Sequence, residues 1–232
     1  MKSFSRLLLI TLLMSYSLPN TLSKTKRKPK APACSQGTAY RNCPACGTAH
    51  DNAHRQLNVL KNRENIAKQP QPKTVQEIRD PKNAGSLSSS QRVRVRGFVA
   101  SVDPGGIQET CNCKRTDLRD VHINIVADPS EASDKTKYVV VEFTPRWEKK
   151  FGFDDSNYDA MRSSVQSQIG GKWVEFRGYM MEDFVHRKEA ANTAAPGTPT
   201  CTDSVNDPSP CVWRATTWEV HPVTSFQVVT GP

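Results

Sequence analysis

The stretch RVRVRGFVASV, residues 92–102, decides the fold class of this chain. Valine alternates with arginine, and this period of two is typical of a β-strand with one buried and one exposed face. Val93, Val95 and Phe98 are predicted to face inward and the arginines to face outward. Gly97 is expected where the strand bends or where another backbone comes close. The chain is therefore predicted to be mainly β.

Four more strands follow from similar patterns. They are predicted at VHINIV (121–126), YVVVEFTP (138–145), KWVEFRGYMM (172–181) and RATTWEVHPVTSFQVV (214–229), the last broken near Pro222. Before the strand at 172–181, Met161, Val165 and Ile169 recur every four residues, which predicts one helix. Asp155 or Ser156 is expected to cap this helix. Three strands, a helix and two strands are the element order of a small OB-like five-stranded barrel. A β-sandwich is the alternative, because periodicity does not distinguish the two.

The N-terminal third of the chain is predicted to lie outside the barrel. Residues 1–23 combine two basic residues, a short apolar run and small residues, which is the pattern of a secretory signal peptide. Residues 24–90 are predicted to be a basic, cysteine-containing extension with a helix at about 48–63. Its end, 67–90, is rich in Pro, Gly and Ser and is predicted to be a linker. The barrel domain is predicted at 91–230.

Positive charge is concentrated in the same part of the chain. The formal net charge is +9, but residues 1–96 hold 18 Lys and Arg against 4 Asp and Glu, whereas residues 97–232 hold 14 against 19. The densest basic stretch is KTKRKPK, with Lys24, Lys26, Arg27, Lys28 and Lys30. This basic arm is predicted to be disordered and to contact polyanions without sequence preference. The barrel is acidic, and its aromatic residues do not lie beside Lys and Arg in sequence. Sequence-specific nucleic-acid binding is therefore not expected.

Seven cysteines follow the predicted signal peptide. In an exported chain they are predicted to form disulfides, and one is left over because their number is odd. Cys201 and Cys211 are expected to pair and to close part of a long loop at 190–211. The motif CPACGTAHDNAH (43–54) allows either disulfides with exposed histidines or a tetrahedral metal site. An oxidising compartment favours the disulfides.

His122, His186 and His221 each follow an acidic residue by two or three positions. Residues two apart on a strand share a face, so Glu219 and His221 of WEVH are expected on one side and Trp218 and Val220 on the other. A carboxylate beside an imidazole fixes the tautomer of the ring or shares a cation with it. The predicted polar cluster comprises Asp120, His122, Glu142, Asp183, His186, Glu219 and His221.

Two interpretations of this cluster stay open. It is either a structural hydrogen-bonding network or a site for a divalent metal. The predicted metal ligands are His122, His186 and His221. Both interpretations require the three histidines to lie close together in the fold.

Four segments, in this order, resemble a group of uncharacterised exported bacterial proteins. They are DVHINIV, VVVEFTPR, GKWVEFRGYMMEDFVH and RATTWEVHPVTSFQV. Members of the group pair an Asp-x-His strand with a G-x-x-V-x-x-x-G strand, a D-x-x-H and a closing W-E-[IV]-H-P-V. HRQLNVLKNR (54–63) is similar to the lead segment of the group, so the resemblance spans about residues 43–229. It implies a C-terminal OB-like β-barrel and the same seven cluster positions, but no activity.

These features favour an exported protein, periplasmic or extracellular, without a transmembrane segment. The predicted function is a binding or structural module of the cell envelope, with polyanion contact through the basic arm. The alternative is a metal-dependent hydrolase that uses the His, Asp and Glu cluster, with Glu219 or Glu142 as the base. The sequence shows no nucleophile elbow, phosphate loop or dinucleotide fingerprint.

Overall fold

The computed structural model of the chain describes residues 34, 37–154, 156–202 and 209–232. Its strands are β1 (Gln71–Thr74), β2 (Arg92–Pro104), β3 (Val121–Val126), β4 (Val139–Phe143), β5 (Trp173–Glu182) and β6 (Trp218–Val229). Its α-helices are α1 (Asn52–Lys61), α2 (Val75–Arg79), α3 (Pro145–Glu148) and α4 (Tyr158–Ile169). The predicted signal peptide (1–23) and the basic arm (24–30) lie outside the described residues.

Strands β2 to β6 close into a five-stranded mixed barrel. β2 pairs antiparallel with β3 and with β5, β3 with β4, and β5 with β6, whereas β4 and β6 run parallel. The strand order is β2-β3-β4-β6-β5, and β5 closes back on β2. The helix α4 lies in the connection between β4 and β5, the third and fourth strands of the barrel. The predicted mainly β, OB-like barrel is confirmed.

The inward positions of β2 are filled by small and branched apolar residues. The valines of this strand are buried in the hydrophobic core. Phe98, predicted to face inward, instead lies on the outer face opposite Trp173, with the two ring centroids 6.1 Å apart. The reason is that Gly97 takes the inward position, where an added Cβ would come within 2.8 Å of Ile125 Cβ. The strand keeps its period of two, and the prediction for Phe98 is wrong.

A second glycine lets β5 and β6 come close together. A Cβ on Gly178 would lie 2.4 Å from the carbonyl oxygen of Pro222, so a side chain cannot be accommodated there. The register between β5 and β6 shifts at the same point. This irregularity lets β6 continue through Pro222 as one strand, although the sequence predicts a break there.

The segment 67–90 packs against the barrel and is not a linker. β1 adds a parallel strand beside the first half of β2. α2 starts with a capping box formed by Thr74 and Glu77. Val75 and Ile78, three positions apart on α2, are buried in the hydrophobic core. Leu87 of the same segment is also buried in the core. The linker prediction is wrong for this part because a few apolar side chains anchor a segment whose composition is mostly polar.

The helix α4 follows the predicted pattern closely. Asn157 caps it by accepting a hydrogen bond from the backbone N–H of Ala160. The cap thus lies one residue after the predicted Ser156, and Asp155 lies outside the described residues. The buried residues of α4 are Met161, Val165 and Ile169, as predicted. No helix in the described part of the chain is long and apolar enough to cross a membrane.

Six of the seven cysteines form disulfides, and all seven lie within the described residues. The pairs are Cys34–Cys46, Cys43–Cys113 and Cys201–Cys211. The third pair confirms the predicted loop closure. The first two use both cysteines of the CPAC motif, so the metal interpretation of that motif is wrong. Cys111 is free and buried. Disulfides of this number are typical of proteins that fold in an oxidising compartment.

Candidate functional site

A buried polar cluster lies on the outer side of the barrel wall, along the first half of β6. Glu219 and His221 point to this side, whereas Trp218 and Val220 belong to the hydrophobic core, as predicted. Residues of α1 and of the connections before β3 and β6 cover the face. Because these residues cover it, the charged groups on this outer side of the barrel are fully buried.

His221 lies among three carboxylates. Its Nδ1 is 2.9 Å from Glu142 Oε2 and 3.1 Å from Glu219 Oε1, and its Nε2 is 3.9 Å from Asp120 Oδ2. All four residues are only 0–1% exposed. Burial by itself lowers the pKa of His221, but the charge of Glu142 and the close contacts of the ring with Glu142 and Glu219 outweigh it and raise the pKa to about 10. The surroundings of His221 therefore strongly favour a positive charge.

Glu142 joins His221 to His122. β3 and β4 pair His122 directly opposite Glu142, and His122 Nε2 lies 3.4 Å from Glu142 Oε1. Burial raises the pKa of Glu142, but the charges of His122 and His221 outweigh burial and hold the pKa well below its usual range. Glu142 is therefore an ionised carboxylate between two imidazoles.

Asp120 and Cys111 form the far end of the cluster. The Cys111 thiol lies 3.3 Å from Glu109 Oε2 and 3.9 Å from Asp120 Oδ2. Burial raises the pKa of Asp120 and of the Cys111 thiol well above their usual values. The odd number of cysteines was a sequence signal for a free thiol, but nothing in the sequence placed that thiol beside Asp120.

Two cations of the cluster were missed by sequence reasoning. Arg214 Nη2 lies 2.6 Å from Glu219 Oε2, and Lys61 Nζ lies 2.7 Å from Asp183 Oδ2. Burial lowers the pKa of Lys61, but the charge of Asp183 outweighs it and raises the pKa well above its usual value. Lys61 ends an amphipathic helix, where lysine is usually solvated, and Arg214 lies in a loop. The sequence did contain one sign that further cations were needed, because the predicted cluster has more acidic residues than histidines.

His186 contacts Glu189 and Trp213, and the ring of Trp213 also lies beside His122. His186 Nδ1 lies 2.6 Å from Glu189 Oε2, and the His186 ring meets Trp213 edge-on at 5.4 Å. Among the described residues, no three ligand atoms within 4.8 Å of one another include more than one of the predicted metal ligands His122, His186 and His221. His221 alone of the three predicted metal ligands belongs to a group of this kind, together with Asp120 and Glu142.

The seven predicted site residues form two connected parts. The first part consists of Asp120, His122, Glu142, Glu219 and His221, joined by the contacts around Glu142 and His221. The second part consists of Asp183 and His186, with 3.9 Å between Asp183 Oδ2 and His186 Nε2. Lys61 connects the two parts, because it binds Asp183 and also lies 4.0 Å from Glu109 Oε2.

The pair of Asp183 and Lys61 predicts a specific loss of stability in acid. Burial raises the pKa of Asp183, but the charge of Lys61 outweighs it and holds the pKa well below its usual range. The pair therefore stabilises the fold above the unfolded pKa of about 4, and this contribution is lost as the pH falls toward the lower folded pKa. Asp183→Asn is expected to cost about 2 kcal/mol at neutral pH, because Lys61 keeps only Glu109.

The difference in unfolding free energy between wild type and Asp183→Asn should shrink as the pH falls below about 4. Urea unfolding of both proteins over this range measures it. Asp117→Asn is the control, because Asp117 pairs with Arg115 at the exposed surface. A difference that stays constant with pH would contradict the pairing.

A groove of about 600 Å³ opens beside the cluster. It is lined by Ser101, Asp103, His122, Asn124, Tyr138 and Trp213 together with neighbouring residues. The side chain of His122 is 12% exposed and its ring is parallel to that of Trp213, with the centroids 6.1 Å apart. Through His122 the cluster borders this groove.

A basic surface lies on the outer face of β2 and β5. Strand register places Arg94 opposite Arg177, Arg96 opposite Glu175, Phe98 opposite Trp173 and Arg92 opposite Tyr179. Glu175 is buried and lies within 4.0 Å of Arg94, Arg96 and Arg177, whose side chains are 42, 47 and 42% exposed. One carboxylate cannot neutralise these arginines. The surface, here called the arginine face (Arg92, Arg94, Arg96 and Arg177), therefore carries excess positive charge beside aromatic rings.

Comparison of the chain with models of protein families, with curated proteins and with solved structures gives no match. Function is therefore inferred from the buried cluster and the arginine face. The sequence did not reveal the arginine face, because its aromatic and basic residues come together only across paired strands.

Proposed function

We propose that the protein is an exported binding module of the cell envelope that contacts an anionic polymer through the arginine face. The observation that carries the proposal is the sharing of one buried carboxylate, Glu175, by three half-exposed arginines. Guanidinium groups bind phosphate, sulfate and carboxylate oxygens in a bidentate manner. An anionic polymer would neutralise the charge that Glu175 leaves uncompensated.

The aromatic residues of the same face support this proposal. Phe98 and Trp173 lie side by side at one end of the arginine face, and Tyr179 lies opposite Arg92 at the other. Surfaces that bind chain-like anions commonly combine basic residues, which follow the charged groups, with aromatic rings, which contact the repeating units. The basic arm at 24–30 would add contacts that have no sequence preference.

Export is part of the proposal. It is supported by the pattern of residues 1–23, by three disulfides, and by the resemblance to exported bacterial proteins. In the envelope, phosphate- or carboxylate-bearing wall and surface polymers offer the chemistry that the arginine face fits.

Replacing Arg92 and Arg94 together with glutamine tests this function. Short duplex DNA of two unrelated sequences serves as a generic anionic polymer, and binding is measured between about 50 and 200 mM salt. Wild type is expected to bind both sequences equally, with log K falling linearly with log salt. The double variant should reduce the steepness of that slope by about 2, because each lost phosphate contact removes about 0.9. Arg96 and Arg177 keep their hydrogen bonds to Glu175 in this variant, so the fold is preserved.

The matched control replaces Arg115 and Arg187 with glutamine. Both residues pair with carboxylates elsewhere on the surface, so the charge change is the same. An equal loss of slope in both double variants, or a preference for one DNA sequence, would overturn the proposed location of binding.

A metal-dependent hydrolase is the second candidate. The group of Asp120, Glu142 and His221, which could hold a metal ion, is the observation that favours it. A substrate would then lie in the groove beside His122, the cluster member that borders solvent. The geometry supports binding better than hydrolysis, because all three members of the group are only 0–1% exposed. Incubating the protein with the polymer and measuring the polymer's length separates the two candidates. A hydrolase would shorten the polymer, and His122→Ala would abolish this reaction. A binding module would leave the polymer intact.

A further inference from the structure

We propose that Asp120, Glu142 and His221 form a buried binding site for one divalent transition-metal ion such as Zn²⁺ or Mn²⁺. One ligand atom from each residue lies within 4.8 Å of the other two. The site is on the wall of the barrel and shares no residue with the arginine face. The inference is therefore independent of polymer binding, and it shares its metal group with the hydrolase candidate.

Two atoms of the site are buried without a hydrogen-bond partner within the described part of the chain. They are His221 Nε2 and Asp120 Oδ1. Nε2 faces Asp120 Oδ2 across 3.9 Å, which is too long for a hydrogen bond. Nitrogen and oxygen ligands each lie about 2.0–2.2 Å from a zinc ion, so two ligands of one ion are separated by at most about 4.3 Å. The 3.9 Å between His221 Nε2 and Asp120 Oδ2 fits a shared ion better than direct contact.

Glu219 orients His221 for this role. Glu219 Oε2 is held by Arg214 at 2.6 Å, and Glu219 Oε1 lies 3.1 Å from His221 Nδ1. Without a metal the ring is charged and carries a proton on each nitrogen. A bound metal ion would displace the proton from Nε2, the nitrogen that faces Asp120, while Glu219 keeps the proton on Nδ1. This carboxylate–histidine arrangement is common behind metal-binding imidazoles, because it fixes the tautomer and the ring orientation.

Glu142 has an oxygen available for the ion. Its Oε2 also lies near His221 Nδ1, at 2.9 Å, but one N–H cannot be donated fully to two carboxylates. With Glu219 as the acceptor, Glu142 Oε2 has no hydrogen-bond partner within the described residues. The site then offers one imidazole nitrogen and two carboxylate oxygens.

The surrounding charges also call for a cation. Lys61 pairs with Asp183 and Arg214 pairs with Glu219. Once His221 is neutral, as metal binding requires, the other carboxylates that face the site are left with His122 and the 4.0 Å contact between Lys61 and Glu109. These carboxylates are Glu109, Asp120 and Glu142. A divalent ion would balance this excess. A mixed nitrogen and oxygen donor set suits Zn²⁺ or Mn²⁺ better than Mg²⁺ or Ca²⁺, which prefer oxygen ligands alone.

The full chain, stripped with a chelator, is titrated with Zn²⁺ and with Mn²⁺, and bound metal and thermal unfolding are measured. We expect one ion per chain and a rise in melting temperature with at least one of the two metals. His221→Gln and Asp120→Asn should remove this binding. Glu219→Gln should weaken it by about 10–100-fold, because it removes the charge of the orienting partner but none of the three ligands. It also removes the charge that pairs with Arg214, so the thermal unfolding of this variant is compared without metal first.

Two matched variants make the result specific. Cys111→Ser changes a neighbour of Asp120 that is not a ligand, and His186→Gln changes a nearby histidine outside the site. Both should bind the ion like wild type. The proposal is overturned if wild type binds neither metal, or if His221→Gln binds as well as wild type. Loss of binding in Cys111→Ser with retention in His221→Gln would place the ion instead between Glu109, Cys111 and Asp120, which also refutes it. Circular dichroism identifies any variant that fails to fold. If a ligand variant fails to fold, the metal affinity of Glu219→Gln decides whether His221 is a ligand.

DNA binding should not change when the metal is removed, so failure of this site leaves the polymer-binding proposal standing.

Discussion

Arg214→Met is expected to lower the free energy of unfolding by about 3–5 kcal/mol. Arg214 and Glu219 are both fully buried, and Arg214 Nη2 lies 2.6 Å from Glu219 Oε2. Arg214 also donates through Nε to the backbone carbonyl of Thr216. Methionine keeps much of the side-chain volume but leaves the Glu219 carboxylate in the protein interior without its guanidinium partner, so that only His221 still contacts it. Removing one partner of a buried ion pair is costly for this reason. Urea unfolding at neutral pH measures the change.

Arg187→Met is the control for Arg214→Met. Arg187 also pairs with a carboxylate, that of Glu182, but Arg187 is exposed to solvent and Glu182 is partly exposed. Water and salt screen such a pair, so its loss should change the free energy of unfolding by about 0–1 kcal/mol. Similar losses in the two variants would show that Glu219 does not depend on Arg214, and the description of the cluster would then be wrong.

Removing the disulfide Cys43–Cys113 is expected to cost about 4 kcal/mol. Its cysteines are 70 residues apart in sequence, and a cross-link of that length strongly restricts the unfolded chain. The bond also ties the N-terminal extension to the connection between β2 and β3, which carries Cys111 and Asp120. Replacing both cysteines with alanine prevents the remaining thiol from pairing with Cys111. Urea unfolding under non-reducing conditions gives the change in stability.

The disulfide Cys201–Cys211 provides the comparison. Its cysteines are only 10 residues apart, so its removal should cost less, about 3 kcal/mol in the same chain-entropy account. Cys201 lies in the loop before β6, away from the link to the extension. A larger loss from the short disulfide than from the long one would contradict this ranking.

The barrel was predictable from sequence because each of its strands carries its own local pattern. The alternation in RVRVRGFVASV and the valine run before Glu142 predict strands without any knowledge of their partners. The packing of 67–90 was not predictable in this way. Val75 and Ile78 are two apolar residues in a segment rich in Pro and Ser, and only contact with the barrel shows that they are buried.

The candidate sites were less predictable because they depend on contacts between distant parts of the chain. The spacing in WEVH correctly predicted that Glu219 and His221 share a face. The partners Lys61 and Arg214 come from a helix and a loop, and no local pattern marks them as buried. The arginine face arises only when β2 pairs with β5, more than 70 positions later in sequence. Periodicity finds the faces of single strands, but strand register determines which side chains become neighbours.

The most direct test of polymer binding separates the basic arm from the arginine face. In the full chain, Lys24, Lys26, Arg27, Lys28 and Lys30 are all replaced with glutamine, and duplex DNA binding is measured against salt. This arm-neutralised chain is expected to keep salt-dependent binding to both DNA sequences. Adding Arg92→Gln and Arg94→Gln should then reduce the slope of log K against log salt by about 2. Binding that disappears with the arm alone, or that is unchanged by the two arginine substitutions, would contradict a polymer-binding site on the barrel.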